Sequence, residues 1–126
     1  MRLLVDSHVA LWWLEGNVSL GAKCLGLLVE ADEVFFSAVT PWELGIKHAL
    51  GKIVIPDGMG EALIASGFTA LPVAVSHAEH APRLPMHHRD PFDRMLVAQA
   101  QLEALVLVSA DRALEAYDVR LLDAGR

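Results

Sequence analysis

Two runs in this chain, Arg2-Leu3-Leu4-Val5 and Leu105-Val106-Leu107-Val108, carry apolar side chains at almost every position and stop after about one strand's length. A strand that is apolar on both sides must be covered on both faces. That is the condition of a parallel sheet packed between helices, since an antiparallel sheet open to water on one side alternates instead. Glu33-Val34-Phe35-Phe36, Phe68-Thr69-Ala70-Leu71-Pro72-Val73 and Val119-Arg120-Leu121-Leu122 read as three further strands, rich in branched and aromatic residues.

Helical stretches fall between the strands. They are expected at His8 to Glu15, closed near Gly16-Asn17, and at Leu20 to about Ala31, with Ser19 as cap. Another opens within Ser37 to Glu43 and stops at Gly51, and a fourth runs from Gly58 to Ser66. Ser76 is expected to cap a short helix, His77 to Ala81, ahead of a polar loop from Pro82 to Arg89. A long helix begins at Pro91, whose missing N–H falls where a helix has no use for one, with Asp90 before it as N-cap. A short helix ends at Tyr117. Strands alternating with helices specify an α/β layered fold with a mainly parallel sheet. There are no repeats or linkers, and the length of 126 residues is that of one domain over 1–126.

A hydrophobic content of 54% exceeds what a small solitary domain needs, so part of the apolar surface is expected to face another protein chain. No apolar run approaches the roughly 18 residues of a membrane span, and no signal-peptide pattern precedes the first strand. The single cysteine, Cys24, excludes an internal disulfide and suits a reducing cytoplasm, where it reads as a small buried apolar residue. The net charge of −6 argues against a protein that coats nucleic acid by bulk electrostatics. It is compatible with an enzyme that holds a phosphodiester through metal ions, because clustered acids bring the metal and lower the charge together.

Four acids stand at comparable places. Asp6 follows the first strand, Glu43 lies in the first turns of the helix after the second, Asp93 is in the first turn of the long helix, and Asp111 follows the fourth strand. Ligands of open α/β sheets bind beyond the carboxyl ends of the strands where strand order reverses, and with the first strand central these side chains converge there. Each has an ordinary alternative. Thr40-Pro41-Trp42-Glu43 has the spacing of a capping box, Asp93 and Asp111 could be first-turn acids favoured by the helix dipole, and only Asp6 must be solvated or paired. Four gathered carboxylates repel one another unless a cation shares them. Oxygen ligands without a cysteine or histidine set point to Mg²⁺ or Mn²⁺, which suit phosphodiester hydrolysis by an activated water.

Leu4-Val5-Asp6-Ser7-His8 with Trp12-Trp13, Trp42-Glu43-Leu44 with Lys47 and Gly51-Lys52, His88-Arg89-Asp90-Pro91-Phe92-Asp93-Arg94 with Ala98-Gln99-Ala100, and Val108-Ser109-Ala110-Asp111 follow one another along the chain. In these pieces, and in their order, the sequence resembles the PIN-domain ribonucleases, specifically VapC-type toxins of bacterial type II toxin–antitoxin pairs. The resemblance implies an α/β/α sandwich and a Mg²⁺- or Mn²⁺-dependent endoribonuclease. It makes Asp6, Glu43, Asp93 and Asp111 both the metal ligands and the catalytic acids. It further implies an RNA substrate, a cognate antitoxin, a homodimer, no membrane association and a cytoplasmic location. Asp90 matches a cap or a group supporting the ligands. Thr40-Pro41 departs from the Ser or Leu that many relatives carry, which bears on capping rather than on chemistry.

Other residues admit two readings. His77, His80, His87 and His88 could form a zinc set, or be surface and RNA-contacting residues. Trp12 and Trp13 are expected as core and dimer-interface anchors. Arg94 and Arg112, each following a site acid, are either helix-surface charges or phosphate contacts, and Lys47 is placed to pair with Glu43 across one turn. Two other classes compete with the nuclease: a non-catalytic binding module of the same fold, and a receiver- or phosphatase-like Mg²⁺ domain. The latter wants a paired acid near the first strand, where the chain offers Asp6 alone.

Overall fold

The computed structural model describes residues 1–126. Its five strands are β1 (Arg2–Val5), β2 (Glu33–Ser37), β3 (Thr69–Leu71), β4 (Val106–Ser109) and β5 (Leu121–Asp123). They lie in the order β3-β2-β1-β4-β5, and every pairing is parallel, with Val5 beside both Phe36 and Val108. Strand order therefore reverses on either side of β1, whose carboxyl end opens onto the crevice between its neighbours.

The helices are α1 (Ser7–Glu15), α2 (Ala22–Glu30), α3 (Val39–Ala49), α4 (Met59–Ala65), α5 (Val75–His80) and α6 (Pro91–Leu102), with 3₁₀ turns at Ala81–Arg83 and Arg112–Ala116. Successive strand residues supply opposite faces of the sheet. Leu3, Val5, Val34, Phe36, Val106 and Val108 pack with Val9, Leu28 and Leu63 in one core. Leu4, Phe35 and Leu107 pack with Leu96, Val97 and Ala100 of α6 in the other. The result is the expected α/β/α arrangement. Leu4 and Leu107 are fully buried, and truncating either to alanine costs about 2–5 kcal/mol.

Two helix starts differ from expectation. Ser19 does not cap α2: the helix begins at Ala22 behind Gly21, which makes no side-chain cap. The Lys23 N–H instead donates to the Arg126 carbonyl at 2.9 Å. A Cβ at Gly21 would stand 2.1 Å from the Arg126 carbonyl carbon, so glycine is what admits the Arg126 backbone there. Ser76 likewise does not cap α5. That helix starts two residues earlier, at Val75, and the His77 ring accepts from the Ala74 N–H at 2.9 Å. Between α6 and β4 the turn puts Ala104 at φ 54°, the one non-glycine residue in the left-handed region.

Candidate metal centre

Asp6 ends β1 and caps α1, its Oδ1 accepting from the Val9 N–H at 2.8 Å. Its Oδ2 accepts from the Ser109 hydroxyl, and the carboxyl is buried. Burial raises its pKa, against the lowering effect of Ser109, Val9 and His8, while nearby Glu43 adds to the rise. Ser109 also accepts the Asp111 N–H at 3.0 Å, so one hydroxyl couples two of the acids.

Glu43 does not form a capping box. Helix α3 starts at Val39, whose N–H is taken by Ser37 at 3.1 Å. Thr40 therefore lies inside the helix, its hydroxyl 3.2 Å from that of Ser7. Glu43 is buried, with Oε1 accepting from Ser7 at 2.7 Å and Oε2 from Lys47 Nζ at 2.8 Å. The hydrogen bond to Glu43 raises the Lys47 pKa, and the charges of Asp90 and Asp93 push in the same direction.

Pro91 opens α6 and Asp90 caps it, accepting from Phe92 at 2.8 Å and Asp93 at 3.3 Å. Asp93, in the first turn, has its pKa pushed up to about 7 by burial and by Asp90, with Glu43 and Asp6 adding to the rise and His88 opposing it. Acids of three segments, Asp6 after β1, Glu43 on α3 and Asp90 at the start of α6, thus act on Asp93. Asp111 caps the following 3₁₀ turn through Oδ1, 2.9 Å from Ala113 N. Its other oxygen lies 3.0 Å from His88 Nε2. His88, Asp93 and Asp111 place ligand-type atoms within 4.8 Å of one another. Asp6 and Glu43 stand outside this tight trio, tied to Ser109 and Ser7.

The donor set fits a hard divalent cation. The four carboxylates supply oxygen, the donor type that Mg²⁺ and Mn²⁺ prefer, and the neighbouring acids add to the rise that burial gives Asp93. The histidines do not form a zinc set. His77 meets Glu103 at 3.0 Å and His80 meets Gln101 at 2.7 Å, while His87 stacks edge-on against Tyr117. Only His88 enters the acid group.

Arg94 has neither expected role. It is buried and donates to the carbonyls of Ala81, Pro82, Leu84, Pro85 and His88. It thereby ties down the segment that presents His88. Arg112 is exposed and faces Glu115 at 3.5 Å. Ser7 and Ser109 are the site residues that sequence reasoning did not single out, and His88 reads in the sequence only as one of four histidines, not as a partner of the acids. The available signal was their adjacency to acids: Ser7 next to Asp6, Ser109 two before Asp111, and His88 two before the Asp90 cap.

The chain is 29% identical over 118 residues to "Ribonuclease VapC22" of Mycobacterium tuberculosis (strain ATCC 25618 / H37Rv), covering 91% of each chain. Its fold matches VapBC of Salmonella typhimurium, solved bound to DNA, with a TM-score of 0.71 at 16% identity over 98% of both chains. It also matches VapBC2 of Rickettsia felis, bound to a DNA fragment from its promoter, with a TM-score of 0.71 at 12% identity and the same coverage. The PIN domain family model matches residues 3–120. From its sheet order, and over nearly its whole length, the chain belongs to the PIN-domain family.

Proposed function

We propose that residues 1–126 form one PIN domain that acts as a divalent-metal-dependent endoribonuclease, the toxin of a toxin–antitoxin pair. The observation that carries this reading is the approach of Asp93 and Asp111 around His88 beyond the carboxyl edge of the sheet, with buried Asp6 and Glu43 beside them and Asp93 pushed up to about 7 by burial and by Asp90. The ribonuclease named among the relatives and the VapBC complexes among the structural matches support the same assignment.

In this reading Asp6, Glu43, Asp93 and Asp111 hold Mg²⁺ or Mn²⁺. When bound, such an ion supplies charge neutralisation at the scissile phosphate and a water acidic enough to attack it. Ser109 and Ser7 fix the buried acids Asp6 and Glu43, so that their carboxylates face the edge in one orientation. Lys47 balances Glu43 and brings a cation toward the same edge. With water rather than the ribose 2′-hydroxyl as nucleophile, the products carry 5′-phosphate and 3′-hydroxyl ends.

Partners follow from the surface. Trp42, Ile46 and Leu50 are exposed along α3. Trp12, Trp13, Val18, Leu20 and Leu25 line a cleft of about 370 Å³. Trp13 is anchored against Phe68, ring centroids 5.1 Å apart. An antitoxin and a second copy of the chain are the proposed occupants of these apolar faces. No helix is long and apolar enough to cross a membrane, and a cytoplasmic location accords with the proposed role.

The test is cleavage of structured RNA such as tRNA by purified, antitoxin-free protein with Mg²⁺, Mn²⁺ or EDTA, the Asp93→Asn variant run alongside. Metal-dependent cleavage by the wild type alone, leaving 5′-phosphate ends, is expected. Protein that neither cleaves nor binds metal would be a binding module instead.

A further inference from the structure

His88 is the one imidazole within the acid group, and its surroundings fix what it does there. Its Nδ1 accepts the Asp90 N–H at 3.1 Å. With that nitrogen's lone pair engaged, the ring hydrogen of the neutral form resides on Nε2. Nε2 therefore presents an N–H, and not a lone pair, to Asp111 Oδ2 at 3.0 Å and Asp93 Oδ2 at 3.3 Å. A group facing these oxygens through a hydrogen is no metal ligand. Each carboxylate oxygen has a second lone pair, so this hydrogen bond and an ion can share the same oxygens.

The ring is also held in place. The His88 N–H donates to the Tyr117 hydroxyl at 2.9 Å, and its carbonyl accepts from Arg94 at 3.2 Å. The Tyr117 hydroxyl donates in turn to the Pro85 carbonyl at 2.9 Å. Asp111 is the most exposed of the four acids, its side chain 41% accessible, and it has no serine partner of the kind that fixes Asp6 and Glu43. His88 fills that place.

We propose that His88 is a positioning residue of the metal site, its Nε2–H holding the Asp111 carboxylate, with Asp93 Oδ2 3.3 Å from the same nitrogen, in the orientation from which the two acids take the ion. The inference rests on the reading of Asp6, Glu43, Asp93 and Asp111 as the ligands. Groups that orient ligands in this way contribute roughly tenfold to hundredfold to metal affinity.

The experiment is calorimetric titration of Mn²⁺ into the metal-stripped full chain, comparing wild type with His88→Gln, His88→Asn and His88→Leu, each checked for folding by thermal unfolding. The glutamine amide reaches the position of Nε2, whereas asparagine is too short to do so. Expected are affinities lowered roughly tenfold to hundredfold in the Leu and Asn variants, and near wild type in Gln. The Gln and Asn pair decides the matter should His88→Leu fail to fold. Equal affinity in all the proteins would overturn the inference, as would Gln binding as poorly as Leu. Tighter binding by His88→Leu would also overturn it, since the ring would then be competing with the ion. Absence of Mn²⁺ binding in the wild type would overturn the metal reading itself, and the inference with it.

Discussion

The Ser109 hydroxyl donates to Asp6 across 103 positions of sequence and accepts the Asp111 N–H, so the carboxyl ends of β1 and β4 are joined by a single oxygen. Ser109→Ala leaves a buried carboxylate oxygen without its donor. The expected loss is about 1–3 kcal/mol of stability, read by urea unfolding, together with weaker metal binding. Ser109→Thr retains the hydroxyl and should recover part of both.

Asp93 makes the metal-free protein sensitive to pH in a definite direction. Its pKa in the folded chain is raised to about 7 from 3.8, so the native state keeps a proton that the unfolded chain has already lost. Its stabilising contribution is therefore complete below about pH 4 and disappears as the pH rises through about 7. Asp93→Asn should remove this slope and leave the metal-free protein more stable than wild type at pH 8, by up to about 4 kcal/mol, while abolishing metal binding and cleavage. Asp6, also raised, leaves a slope of the same sign. Thermal unfolding in EDTA from pH 4 to 8 checks it, and an unchanged slope in the variant would contradict the placement of Asp93.

Metal binding should show the complementary trend. The ion must displace the Asp93 proton, so affinity for Mg²⁺ or Mn²⁺ is expected to fall roughly tenfold per pH unit below 7 and to level off above it. Calorimetry at several pH values, in buffers of different ionisation heat, measures both the affinity and the proton released.

Arg94→Met removes the donor shared by five carbonyls in a segment with little regular structure. A loss of about 2–5 kcal/mol is expected, with faster hydrogen exchange at His88. Lysine should not rescue it, because an ammonium cannot reproduce the fork of the guanidinium.

Ala104→Gly should stabilise the chain by about 0.5–1 kcal/mol, because φ of 54° costs alanine what it does not cost glycine. Chemical unfolding of the single variant is sufficient to test it.

The β strands, α6 and the places of the acids at strand ends and helix starts were legible because each depends on a short-range pattern. Strands apolar on both sides require cover on both faces, and Asp90-Pro91 is a helix start in any context. What escaped depends on segments remote in sequence. Ser19 is a plausible cap until the Arg126 carbonyl takes the Lys23 N–H. Thr40 and Glu43 have capping-box spacing, but Ser37 starts α3 upstream. Arg94 looks like a surface charge because its partners are carbonyls of a turn and loop, which leave no periodicity to read. The hydrogen bonds of Ser7 to Glu43 and of Ser109 to Asp6 likewise exist only once β1, α3 and β4 are side by side.

The placement of β1 at the middle of the sheet also governs when the acid group can assemble as the chain is made. Asp6 and Glu43 leave the ribosome early, but Ser109 and Asp111 belong to the last part of the chain, and β1 acquires its second neighbour only when β4 arrives. A nascent or prematurely terminated chain has half a crevice and no means of closing it. Synthesis therefore orders the assembly of the site: the bond between Asp6 and Ser109, 103 positions apart, waits until β4 has been made and has docked against β1.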